Sequence, residues 1–204
     1  MTVNEARAVS RAERQAQTRE SLIAVAREMF LTDGYAATSL DKVALQAGFS
    51  KGAVYSNFTG KEELCLAVLD SIHEEQIAGV VGAFTQHTDL SGRIDAFTAW
   101  AQEGVGRPSW TALEVEFAAA ARQSQYVADE LKKRHREIVA ATADLIRQVT
   151  REAGIELRIP AEQAATVLLS LGIGLGALRS LDNTVDVGVF ADAMRTLLSG
   201  AAAQ

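Results

Sequence analysis

Ser50, Lys51, Gly52, Ala53, Tyr55, Ser56 and Asn57 crowd into one short stretch of the chain. Their chemistry is recognition: hydroxyls, an amide, a phenol and an ammonium give and take hydrogen bonds. Glycine and alanine among them let the backbone approach a flat partner closely. The partner that such a set suits is a nucleic-acid groove. An ammonium such as that of Lys51 can donate to guanine O6 and N7, and a methyl such as that of Ala53 can meet a thymine methyl. Polar side chains hold phosphates and fix the register.

A short helix has to present these residues. Leu40, Val43, Ala44 and Ala47 recur at helical spacing. Gly48 follows where a helix ends in a left-handed residue, which glycine adopts without steric cost. Ser50 caps a second helix, about residues 50 to 57, and Val54 is its inward residue. Ala44 is small where two crossing helices meet. The pattern predicts a helix-turn-helix; an ordinary helix hairpin is the plainer alternative. Thr59-Gly60-Lys61-Glu62 has capping-box spacing and predicts that a new helix begins at once. Lys61 in its first turn is a cation where the helix dipole gives no help. A phosphate there would account for it, because backbone N–H groups and a lysine together hold one.

With Phe30, Gly34, Tyr35, Thr38 and Ser39 before it and Leu64 after it, this stretch resembles the TetR-like (tetracycline-repressor) family of transcriptional regulators. The resemblance covers about residues 14 to 70. It implies that Ser50, Lys51, Gly52 and Ala53 face base edges. It implies that Tyr55, Asn57 and Lys61 grip phosphates, helped by Thr38 and Ser39 at a helix N-terminus. Asn57 stands where many relatives carry histidine, and an asparagine can still donate to a phosphate.

The chain has 204 residues, 48% of them hydrophobic, enough for one large domain or two small ones. Two prolines and abundant alanine favour helix. The expected fold is all-α: an N-terminal three-helix DNA-binding domain, then a helical bundle for ligand binding and dimerisation. We expect a flexible arm over residues 1–12, the helix-turn-helix domain over 13–70, and the effector-binding and dimerisation domain over 71–204. Arg7, Arg11 and Arg14 read as solvated charges or as contacts to a phosphate backbone. The net charge of −6 divides into +2 over residues 1–61 and −8 over 62–204, with the basic residues at the reading end. No run of about 20 apolar residues is seen, so no membrane span is expected. The N-terminus lacks a secretory signal. Cys65 is the single cysteine, so no intrachain disulfide forms, which fits a reducing cytoplasm.

A linking helix runs from Lys61 to about Phe84, and the body reads as five more: to Gly104, from Pro108 to Arg122, Gln125 to Ala153, Pro160 to Leu181, and Val187 to Ser199. Phe84, Phe97, Trp100, Trp110, Phe117 and Tyr126 cluster there. They either pack a core or line a cavity. In the second reading Ile72, His73, Phe97, Trp100, Trp110, Leu113 and Phe117 surround one space. His135, Gln76, Glu114 and Glu116 are the candidate polar groups. Leu171-Gly-Ile-Gly-Leu-Gly176 has no preceding strand and is no nucleotide motif. Its glycines permit close helix approach. Ala164, Leu168, Leu171, Gly172 and Leu175, with Phe190, Met194 and Leu197, read either as a dimer interface or as burial within one bundle. Lys132-Lys-Arg-His-Arg136 reads as a solvated face paired with nearby acids.

His73, His87 and His135 show no metal spacing, Cys65 reads as core, and there is no nucleophile elbow. An enzyme, a metal and a cofactor are therefore not expected. The resemblance implies a homodimeric, ligand-responsive regulator, a repressor above all. It would bind a palindromic double-stranded operator, and a small effector, often apolar or aromatic, would release it. The family pairs through its last two long helices, which favours the dimer interface over burial.

Overall fold

The computed structural model describes residues 10–104 and 108–198, and among these every regular element is helical. In order they are α1 (Arg11–Asp33), α2 (Leu40–Gln46), α3 (Lys51–Tyr55), α4 (Lys61–Thr85), α5 (Leu90–Gly104), α6 (Pro108–Ala120), a short 3-10 turn (Ala121–Gln123), α7 (Gln125–Ala153), α8 (Ala161–Leu181) and α9 (Gly188–Leu198). The chain forms two units, residues 1–70 and 71–204. The first part of α4 belongs to one unit and the remainder to the other.

α1 begins at Arg11, inside the stretch expected as a flexible arm, on a capping box. Ser10 Oγ accepts from the Glu13 N–H at 3.1 Å, and Glu13 accepts from the Ser10 N–H at 2.6 Å. Arg11 and Arg14 are thus on a helix, while Arg7 lies outside the described residues. Leu22, Ala26 and Phe30 form the buried stripe of α1. Val43 and Ala44 of α2, Val54 of α3, and Leu64, Cys65 and Val68 of α4 are buried as well, and α1 packs against α2 and α3. Gly34, at φ 85°, ends α1.

The turn between α2 and α3 is a Schellman motif. Gly48 sits at φ 71°, its N–H reaches Leu45 O at 3.2 Å, and the Phe49 N–H reaches Ala44 O at 2.9 Å. At α4 the capping acid is Glu63, not Glu62. The helix starts at Lys61, which moves the third helical position one residue on. Glu63 Oε2 accepts from both the N–H and the hydroxyl of Thr59, at 2.7 and 2.8 Å. These bonds hold its carboxyl below the usual carboxylate range, the backbone N–H first among them.

In the second unit α8 packs against α6, α7 and α9, and α9 against α5. α8 is long and apolar enough by composition to cross a membrane, contrary to the sequence reading. Neighbours account for part of its apolarity: Ala164, Ala165, Leu168 and Leu175 are buried in the bundle. Two glycines of the 172–176 run serve this packing. A side chain at Gly176 would strike Thr111 of α6, and one at Gly172 would press on Phe190 of α9. Gly174 faces open space. Ser124 and Gly154 cap the two ends of α7.

Candidate nucleic-acid interface and ligand cavity

The reading head is α3 with its flanks. Ser50 is the N-cap, its hydroxyl accepting from the Ala53 N–H at 3.2 Å. Val54 anchors the helix in the core, and this turns Lys51, Gly52, Tyr55 and Ser56 to solvent. Tyr55 is 57% exposed, an uncommon state for so large a ring without a partner. Ala53 is half-buried. Lys51 Nζ meets Asp41 of α2 at 2.5 Å, which raises the lysine's pKa through that hydrogen bond first.

Three expected phosphate contacts have other employment. Thr38 is buried, and its hydroxyl donates to Gly34 O at 2.9 Å, so its side chain closes the α1–α2 loop and does not face outward. The neighbouring Ser39 is the exposed N-cap of α2 and accepts from the Lys42 N–H. Lys61 points inward too. Its ammonium donates to Tyr35 O at 2.9 Å and Thr38 O at 3.0 Å, with Ala36 O at 3.5 Å, and lies 4.1 Å from the Tyr35 ring centre. Those carbonyls, not an external anion, account for a cation in the first turn of α4. Asn57 is half-buried, with its amide nitrogen on Ala53 O at 2.8 Å, where it closes the end of α3.

Arg19 was missed. Its guanidinium donates to Asn57 O at 2.7 Å and stacks 4.2 Å from the Phe58 ring centre, tying α1 to the turn after α3. The signal was present: Arg19 falls at helical spacing with Leu22, Ala26 and Phe30, on the stripe that faces the core.

The second unit holds a cavity of about 340 Å³. His73, Phe97, Trp100 and Trp110 line it, as the cavity reading expected. Ile72, Leu113 and Phe117 do not; they are buried in the core. His135 is exposed and off the wall, as is Tyr126. Sequence reading missed the wall that α7 and α8 supply, among it Ile138, Thr142 and Leu169. The polar groups are few: His73 and Gln76 from α4, Thr111 and Glu114 from α6, Thr142 from α7. His73 Nε2 lies 2.5 Å from Glu114 Oε1. The indole of Trp100 lies on Gly79, where any side chain would collide with it.

The expected dimer face is largely interior. Ala164, Leu168, Leu175, Phe190 and Met194 are buried in the bundle core, because they face α5, α6 and α7. Leu171, Gly172 and Leu197 are half-buried. Among the outward residues of α8 are Val167, Ile173, Gly174, Leu178 and Leu181, the last 87% exposed, with Val189 at the start of α9. On α7, Lys132 pairs with Asp129 and Arg134 with Glu130, the solvated face that was expected.

Residues 22–68 match the family model for bacterial regulatory proteins of the tetR family. The regulator UidR of Escherichia coli K12 is 24% identical over 183 residues, 90% of this chain and 92% of that protein. The transcriptional activator FasR of Mycolicibacterium smegmatis is 38% identical over 80 residues, 39% of this chain and 36% of that one. Escherichia coli NemR in its reduced form shares the fold, with a TM-score of 0.72 over 90% of this chain and 98% of that one, at 18% identity.

Proposed function

We infer that this chain, which belongs to the tetR family of bacterial regulatory proteins and is a transcriptional regulator and not an enzyme, acts as a ligand-responsive repressor. It binds a palindromic operator as a homodimer in the cytoplasm, and a small apolar or aromatic molecule in the cavity releases it. One observation carries this reading. α4 opens beside the reading head and goes on to supply His73, Gln76 and Phe84 to the cavity wall. A ligand acts on that helix only through its differential affinity for two states. Coupling of ~1–3 kcal/mol corresponds to about a 5–150-fold loss of operator affinity.

In the complex Ser50, Lys51, Gly52 and Ala53 meet base edges, and Tyr55 meets phosphate with Ser39 at the start of α2. Two heads reach half-sites about one helical turn, ~34–36 Å, apart or somewhat more. The subunits pair through α8 and α9. Supporting this are Val167, Gly174, Leu178 and Leu181, which share one face by spacing and are exposed. Leu178→Glu with Leu181→Glu then yields monomers in sedimentation.

The test is binding of the purified protein to DNA flanking its own coding region, titrated with salt. Tight, salt-sensitive binding as a dimer is expected, together with a reporter that rises when the gene is deleted. Because FasR is named an activator, a reporter that falls on deletion reverses the sign of regulation. Absence of sequence preference in a selection from random DNA refutes the operator reading.

A further inference from the structure

The charges on the cavity wall restrict what it can hold. Among the described residues no lysine or arginine lines it. Among the described residues its titratable groups are Glu114 and His73, the histidine's Nε2 lying against Glu114 Oε1. A carboxylate only accepts, so the ring N–H of His73 is the donor. That bond orients the carboxylate and leaves its other oxygen without a partner among the described residues. Most of the remaining wall is apolar or aromatic, including Phe84, Phe97, Trp100 and Trp110.

A body that fills this space strips water from Glu114. A carboxylate taken out of water needs a partner for each oxygen, and His73 meets only one of them. An anionic ligand adds a like charge. A neutral donor makes a hydrogen bond but leaves the charge uncompensated. A cation compensates it, with a charge-assisted bond about twice as strong as a neutral one, and aromatic faces nearby favour cations as well. We propose that the cavity selects an apolar or aromatic body carrying one cationic amine, with Glu114 as its counter-ion and His73 as the residue that positions that carboxylate. This rests on the reading of the cavity as the effector site.

The test uses three matched probes on the full-length protein: para-tert-butylbenzylammonium, the corresponding benzyl alcohol and the corresponding benzoate. Trp100 and Trp110 are the only tryptophans of the chain and both line the cavity, so intrinsic fluorescence reports occupancy. The ammonium should bind about tenfold more tightly than the alcohol, and the benzoate most weakly. Glu114→Gln should bring the ammonium to the level of the alcohol, and a urea unfolding midpoint close to the parent's shows that the variant is folded. Benzoate binding as tightly as the ammonium, measured on the unaltered protein, overturns the proposal. So does an ammonium preference that survives Glu114→Gln. If the alcohol and the ammonium both fail to bind, the effector-site reading itself falls, and the proposal with it.

Discussion

Gly79 and Gly82 lie three residues apart on α4, and replacing each by alanine isolates one contact. Both substitutions gain the same helix propensity, about 0.8–1.0 kcal/mol. At Gly82 the new methyl meets open space. At Gly79 it would overlap the nitrogen and ring carbons of the Trp100 indole. Trp100 cannot fold aside as a lysine would, because its ring packs 5.5 Å from that of Phe97, which is buried. Overpacking of this kind costs about 1–3 kcal/mol. Gly82→Ala should therefore stabilise the protein by up to about 1 kcal/mol. Gly79→Ala should run from neutral to about 2 kcal/mol destabilising, leaving a gap of about 1–3 kcal/mol between the two. Urea unfolding followed by circular dichroism gives both numbers, provided the two slopes agree. Tryptophan emission should shift for Gly79→Ala alone, and so should probe binding. Equal stabilisation of the two variants with unchanged emission would refute the contact and with it the placement of Trp100 on the cavity wall.

Gly48→Ala should destabilise by about 1–2 kcal/mol from the left-handed backbone alone, because no atom lies near the added methyl; an unchanged urea midpoint contradicts the Schellman turn. Lys61→Met should lower both stability and operator affinity while leaving the salt dependence unchanged, since the ammonium is spent on three loop carbonyls. A fall in salt slope of roughly one unit would return Lys61 to the phosphate contacts. For Glu63 the folded-state pKa lies below its ordinary value, so its contribution is complete above the usual carboxylate range. It is lost as pH falls through the depressed value. Stability measured from neutral pH into acid should therefore drop less steeply in Glu63→Gln than in the parent, and parallel curves would remove the Thr59 cap from the account.

Local signals carried much of the fold. Ser124 and Gly154 bound α7 where capping chemistry requires, and Ala44, Gly48, Ser50 and Val54 specify the turn between α2 and α3. What failed were questions of direction. α8 is apolar around most of its circumference, so periodicity could not say which face meets its neighbours; in the structure Gly176 lies against Thr111 of α6 and Gly172 against Phe190 of α9. Lys61 looked like an anion site because its partners are carbonyls of a loop more than twenty residues earlier in the chain. The aromatic half of the cavity was legible from Phe97, Trp100 and Trp110 as one cluster. Its opposite wall was not, since Ile138 and Thr142 of α7 look in sequence like any amphipathic helix.

The pairing of Lys51 with Asp41 bears on how the protein searches a genome. In the free protein this cation is neutralised by a carboxylate at 2.5 Å, with both groups open to solvent. Anonymous DNA attracts a protein through unpaired cations and the counterions they release. A head whose foremost lysine is already engaged therefore dwells less on random sequence. Exposed ion pairs are weak, so a correctly placed guanine can take the lysine over at little cost, whereas a wrong base offers too little to break the pair. In the proposed complex, where Lys51 meets a base edge, Asp41 would thus shorten the time lost on wrong sites.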